Sequence, residues 1–148
     1  MQNKKVAILG KLQTKLYAPY WDKDWDIWTL NYNYDTVLPR VTLWFDIHTN
    51  NPNPQADITR VNYPFEEVEK LIGGQYFNNT ISYMIAYAIL KGYEEIALYG
   101  MRFVTDNQPR IEQYANVREL IFFAKGKGIK VTAPYDVVML KEYNLYGL

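Results

Sequence analysis

An α/β domain with a mainly parallel sheet is the fold class this sequence predicts, and three observations carry it. Val6-Ala7-Ile8-Leu9 and Ile96-Ala97-Leu98-Tyr99 are unbroken apolar runs of strand length, and a strand apolar on both faces belongs inside a sheet. Ile81, Met84, Ile85, Ala88 and Ile89 fall at i, i+3, i+4, i+7 and i+8, the spacing that lays one apolar stripe along a helix. That helix runs through Gly92, a suitable left-handed stop, straight into the second apolar run. Helices are therefore expected on both sides of the sheet, as in parallel α/β folds.

The 148 residues suit one domain, residues 1–148, able to bury about two thirds of the surface of the unfolded chain. Cysteine is absent, which excludes a disulfide framework, a thiol nucleophile and thiolate metal sites and fits a reducing cytoplasm. The apolar run after Met1 is too short for a signal peptide and no other run reaches membrane length, so a soluble cytoplasmic protein is expected. Sixteen basic residues balance sixteen acidic ones, leaving no net field to attract nucleic acid. Fourteen tyrosines and four tryptophans exceed what one small core needs, which leads to the expectation of a homo-oligomer.

The first strand, Val6 to Leu9, ends at Gly10, where glycine lets backbone approach a bound group. Lys11-Leu12-Gln13-Thr14-Lys15 follows, with neither G-x-G-x-x-G nor G-x-x-x-x-G-K-[ST], so the usual dinucleotide and P-loop signals are missing. Lys11, Thr14 and Lys15 either meet a phosphate or form a solvated loop. A connection containing Trp21 and Trp25 leads to the second strand, Asp26 to Leu30, and then to Asn31-Tyr32-Asn33-Tyr34. Ligands of open parallel sheets bind outside the carboxyl ends of the strands, which places Asn31, Asn33 and Tyr34 where a sugar or base is read. The alternative is that the asparagines only shape the turn. Asp22, Asp24 and Asp26 alternate as in a calcium loop, but the EF-hand glycine and glutamate are absent from that frame.

The third strand, Thr42 to Ile47, leads to His48, the only histidine, two residues from Asp46 and on the same strand face. The pair suggests a general base oriented by a carboxylate; otherwise His48 caps the strand or bonds a loop. Thr49 to Asp57, rich in Asn and Pro, reads as a flap over the site or a surface excursion. A short strand is expected over Ile58 to Val61, then a helix opened by Pro64 and closed by Gly73-Gly74, with Phe65, Val68, Leu71 and Ile72 on its apolar face. Asn78, Asn79 or Thr80 caps the Ile81–Ile89 helix, whose free amides beside Thr80 and Ser82 form an anion site or a simple cap. Gly100 and Arg102 lie past the strand Ile96 to Tyr99. A helix over Ile111 to Lys125, buried through Val117, Leu120, Ile121 and Ala124, precedes a last strand, Ile129 to Thr132. Asp136 to Leu148 reads as a short helix whose Tyr143 and Tyr146 dock on this domain or a neighbour.

Ala18-Pro19-Tyr20-Trp21, Asp24 to Asn31, Trp44-Phe45-Asp46-Ile47-His48, Thr80 to Met84, Gly92 to Gly100 and Gly126 to Val131 together resemble a family of small Rossmann-like proteins found mainly in phages and prophages. That family is similar, more distantly, to bacterial sialyltransferases that use CMP-sugars and to archaeal 6-hydroxymethylpterin diphosphokinases. The resemblance implies a single Rossmann-like three-layer sandwich with a nucleotide held over the strand ends, and the expected strand order is 3-2-1-4-5. Relatives of this kind commonly carry a Gly-Pro-Ser-like turn after the first strand and an asparagine near the nucleotide after the second. Asn31 keeps the asparagine, whereas Lys11 to Thr14 stands in place of the turn. The sialyltransferases place a catalytic histidine in a later, lid-like region, and that role is not carried over to His48.

The expected function is a phage-type binding protein that holds a nucleotide or nucleotide-derived metabolite and sequesters a host signal in the host cytoplasm. Its site would comprise Gly10, Lys11, Thr14, Asn31, Asn33, Tyr34, Thr80, Ser82, Gly100 and Arg102. The alternative is a transferase using a nucleotide-activated donor in glycosyl or diphospho transfer, with His48 or Asp46 as base. A third reading is an assembly protein that uses exposed Tyr and Trp as anchors and takes no ligand. No cofactor, metal, membrane or nucleic-acid partner is expected.

Overall fold

The computed structural model describes residues 3–48, 55–74, 77–101 and 108–135. Strands β1 (Lys5–Leu9), β2 (Trp25–Leu30) and β3 (Leu43–Asp46) come first, followed by the two-residue β4 (Ile58–Thr59). Helices α1 (Phe65–Ile72) and α2 (Thr80–Leu90) precede β5 (Glu95–Tyr99), and α3 (Gln108–Gly126) precedes β6 (Lys130–Thr132). The order across the sheet is β4-β3-β2-β1-β5-β6, with every neighbouring pair parallel. The expected 3-2-1-4-5 order thus holds for the main strands, and β4 extends the sheet at one edge.

The register explains why the strands read as apolar runs. Ile8 lies between Trp28 of β2 and Leu98 of β5, so β1 has a strand on each side and cover on both faces. Val6, Ile8, Trp28, Leu30, Phe45, Ile96 and Leu98 face the helices, where they meet Val68 of α1, Met84 and Ile85 of α2, and Val117, Leu120 and Ile121 of α3. Trp28 is 1% exposed and packs against the rings of Phe45, Tyr87 and Tyr93 at 5.3, 5.5 and 5.1 Å. Burying each such side chain stabilises the fold by roughly 1.5–3 kcal/mol. Part of the aromatic content is therefore core.

On the opposite face Ala7, Leu9, Ile27, Ala97 and Tyr99 meet Ala18 and Tyr20. Among the described residues this third layer is built from two 3-10 turns, Gln13–Tyr17 and Asn31–Asn33, and from coil. Full α-helices were expected here as well. The two connections are interrupted by Pro19 and Pro39, which remove backbone donors and clash with a preceding turn. The expected C-terminal helix with Tyr143 and Tyr146, Arg102, and the loop from Thr49 to Pro54 lie outside the described residues. Among those described, no helix is long and apolar enough to cross a membrane.

Candidate functional site

All the parallel strands end on one side of the sheet, and two glycines close its centre. Gly10 N–H donates to Tyr99 O at 2.7 Å, and Leu12 N–H donates to Gly100 O at 3.0 Å. A Cβ on Gly10 would lie 2.4 Å from Gly100 O, and one on Gly100, whose φ is 71°, would lie 2.9 Å from Gly10 O. Both positions need glycine because the two backbones touch each other. This differs from the expected reason for Gly10, which was backbone approach to a ligand. Thr14 lies in the same seam, where its Oγ1 accepts the Gly100 N–H at 2.9 Å.

Asn31 and Asn33 follow β2 and behave differently. Asn33 is fully engaged: Oδ1 accepts from Lys15 Nζ at 2.7 Å, while Nδ2 donates to Gly10 O at 3.0 Å and Thr29 Oγ1 at 2.8 Å. It ties the turn after β2 to the end of β1 and has no amide hydrogen left for a ligand. Asn31 is 1% exposed, yet among the described residues neither Nδ2 nor Oδ1 has a partner. Asp46 lies one position beyond the last β2–β3 couple, Leu30 and Phe45, just as Asn31 does on its own chain segment. Asp46 is 3% exposed and its Oδ2 is also without a partner among the described residues. Neighbouring strands thus end in an amide and a carboxylate, both buried and both incompletely bonded.

Above these groups is an exposed rim. Lys11 Nζ sits 5.5 Å from the centre of the Tyr32 ring, and Tyr32 meets the His48 ring edge-on at 5.6 Å. One residue from each of the loops after β1, β2 and β3 therefore forms a row of cation, phenol and imidazole. The expected Asp46–His48 dyad takes another form: Asp46 Oδ1 accepts the backbone N–H of His48 at 3.1 Å, fixing the chain and leaving the imidazole free of that carboxylate. Tyr34 is exposed.

At the start of α2, Asn79 is the cap. Its Oδ1 accepts the Ser82 N–H at 3.0 Å, and its Nδ2 donates to Ser82 Oγ at 2.9 Å and Asn78 Oδ1 at 2.9 Å. Asn116 of α3, also buried, accepts from Asn78 N–H at 3.3 Å. Ser82 is buried inside this cluster, so simple capping accounts for it; Thr80, half-buried, opens the helix beside it.

Lys15 has a different place from the one expected. Its ammonium group is buried and donates to Lys11 O at 3.0 Å, Asn33 Oδ1 at 2.7 Å and Thr36 Oγ1 at 3.3 Å. Burial holds its pKa below the usual lysine value; Asp35 pulls it up and Lys11 pushes it further down. The sequence offered no signal for a buried lysine in a polar loop. Asn116 was readable, because it falls on the stripe of Val117, Leu120, Ile121 and Ala124 as its one polar member. Among the described residues no group of three or more His, Asp or Glu side chains gathers to hold a metal ion.

No protein-family model and no curated protein matches the chain. Among solved structures, the sialyltransferase CST-II in complex with a trisaccharide acceptor and CMP is similar to it in fold. The TM-score is 0.53 and the identity 15%, over 90% of this chain and 83% of that one. The two share an architecture, and function has to be argued from the site.

Proposed function

We propose that this protein binds a nucleotide-activated donor over the carboxyl ends of β1, β2 and β3 and transfers the activated group to an acceptor. The carrying observation is Asn31, whose buried amide has both ends unpaired among the described residues. Leaving such a group unpaired costs about 1–3 kcal/mol, and a ligand that presents an acceptor and a donor, as a base edge or a ribose does, offsets that cost. Asp46 Oδ2 adds a second acceptor for a ligand hydroxyl or amine. Lys11 supplies a cation at the rim for a phosphate, and His48 an exposed imidazole. The likeness in fold to a sialyltransferase crystallised with CMP supports the same reading.

In glycosyl transfer, the acceptor oxygen forms its bond to the sugar carbon as the bond from that carbon to the phosphate oxygen breaks. His48 takes the acceptor proton, and the nucleotide leaves with the bonding electron pair. Calorimetry with CMP, UMP and AMP tests the site: heat with one of them in wild type and its loss in Asn31→Leu is expected, and no heat with any nucleotide would sink the reading. Consumption of a CMP-sugar is expected to fall by roughly 10²-fold or more in His48→Ala.

A second reading is a protein that holds a nucleotide without turning it over, as a phage protein that sequesters a host signal would. It is favoured by the bond that Asp46 accepts from the His48 backbone N–H, which leaves the imidazole without an orienting carboxylate among the described residues. Nucleotide binding with equal donor consumption by wild type and His48→Ala would select it.

A further inference from the structure

We propose a second ligand site, for a small carboxylate that carries a ring, in the cleft between α1 and the first turn of α2. The cleft holds about 330 Å³ and is lined by Arg60, Phe65, Glu69, Gly74, Phe77 and Tyr83, none of which belongs to the strand-end site. Small-molecule sites begin at about this size.

Three of the lining residues are rings held in fixed relation. Phe77 and Tyr83 lie 4.8 Å apart at 33°, and Phe65 meets Tyr83 edge-on at 5.9 Å. Beneath them buried Tyr63 packs edge-on against Tyr83 at 5.0 Å, and its hydroxyl donates to Tyr83 O at 2.8 Å. Rings locked from below lose little freedom when something covers them, and covering half-exposed Phe65 removes apolar surface from water. The cleft therefore favours a body with a flat or apolar face.

Arg60 determines the charge of that body. Its guanidinium lies 5.9 Å from the Phe65 ring and has no carboxylate or carbonyl partner among the described residues. The planar fork of five N–H donors fits a carboxylate in bidentate fashion. A ring and one carboxylate are shared by aromatic acids and by sugar acids. The site stands apart from the transfer reading, because neither Asn31 nor His48 takes part in it.

The test is a ligand-observed NMR titration of the whole chain with phenylacetate, glucuronate and benzyl alcohol. At least one acid is expected to bind more tightly than the alcohol. Arg60→Gln, an exposed substitution, should weaken acid binding about tenfold or more with the melting temperature unchanged, and Phe77→Leu should weaken it with Arg60 intact. Phenylacetate alone would name an aromatic acid, and glucuronate alone a sugar acid. The proposal is overturned if neither acid binds, if Arg60→Gln binds the acid as wild type does, or if sedimentation shows a dimer that Arg60→Gln dissociates and no acid displaces. Each of these outcomes leaves nucleotide binding at Asn31 untouched.

Discussion

On one face of the sheet α1, α2 and α3 bury Val68, Met84, Ile85, Val117 and Ile121 against Ile8, Trp28, Phe45 and Leu98. On the other, the described residues cover a small apolar cluster around Leu9, Tyr20 and Ile27 with 3-10 turns and coil, and side chains do much of the bonding that helices would do for themselves. Arg40 donates to Tyr20 O, Asp22 O and Trp25 O at 2.9, 2.9 and 2.8 Å. Tyr20 Oη donates to Lys15 O at 2.6 Å, and Lys15 in turn reaches Lys11 O and Asn33. The helical face is held by area removed from water, which tolerates small shifts. The coil face is held by a few directional bonds, each of which leaves an unsatisfied group when removed.

The largest expected effect belongs to the helical face. Trp28→Ala should cost about 3–5 kcal/mol in chemical denaturation, because three neighbouring rings lose their common partner. A smaller loss would mean that the aromatic cluster collapses into the gap.

Alkaline pH should weaken both faces. Burial pushes the Tyr20 phenol up to about 12. Tyr63 is raised by burial, and Tyr93 by burial together with its hydrogen bond to Asp26. In the unfolded chain such phenols ionise near pH ~10, so above that pH the unfolded state binds fewer protons than the folded one. Their contribution is therefore complete below pH ~10 and falls as pH rises through the folded-state values. Thermal melts from neutral to alkaline pH, read with tyrosinate absorbance, should show these phenols ionising together with unfolding. Lys15 has the opposite sign, since its lowered pKa makes stability rise with pH up to about 10.4. Lys15→Met should remove that rise.

On the coil face Asn33→Leu should cost about 1–3 kcal/mol or more, since Lys15 Nζ, Gly10 O and Thr29 Oγ1 each lose a partner. Asn31→Leu is the smallest in stability and the sharpest comparison. Removing an unpaired buried amide should leave the melting temperature unchanged or raise it, while nucleotide binding disappears. If Asn31→Leu destabilises as much as Asn33→Leu, Asn31 belongs to the scaffold and the proposed site fails.

These two asparagines also show how far the sequence could be read. Both follow an apolar strand and both are Asn, so composition and position assign them the same place at the strand ends. Their difference comes from Lys15, Gly10 and Thr29, which reach Asn33 from separate parts of the chain. Gly10 is similar: its need for glycine was readable, but the reason, contact with the Gly100 carbonyl, depends on bringing residues ninety positions apart together. His48 and Asp46 were readable as neighbours along one strand, and the structure directs the carboxylate to the backbone.

The sequence by itself determined the parallel sheet, the places of α1, α2 and α3, and the line of strand ends along which polar residues gather. Burial patterns and caps are local, and a chain segment states them without reference to the rest. Among the described residues, tertiary structure alone decided which face received helices, which asparagine became scaffold and which was left unpaired. It also gathered Arg60, Phe65, Phe77 and Tyr83 around one cleft. Those outcomes depend on which distant donor reaches which acceptor, and a hydrogen bond or a ring contact is fixed by the meeting of two segments.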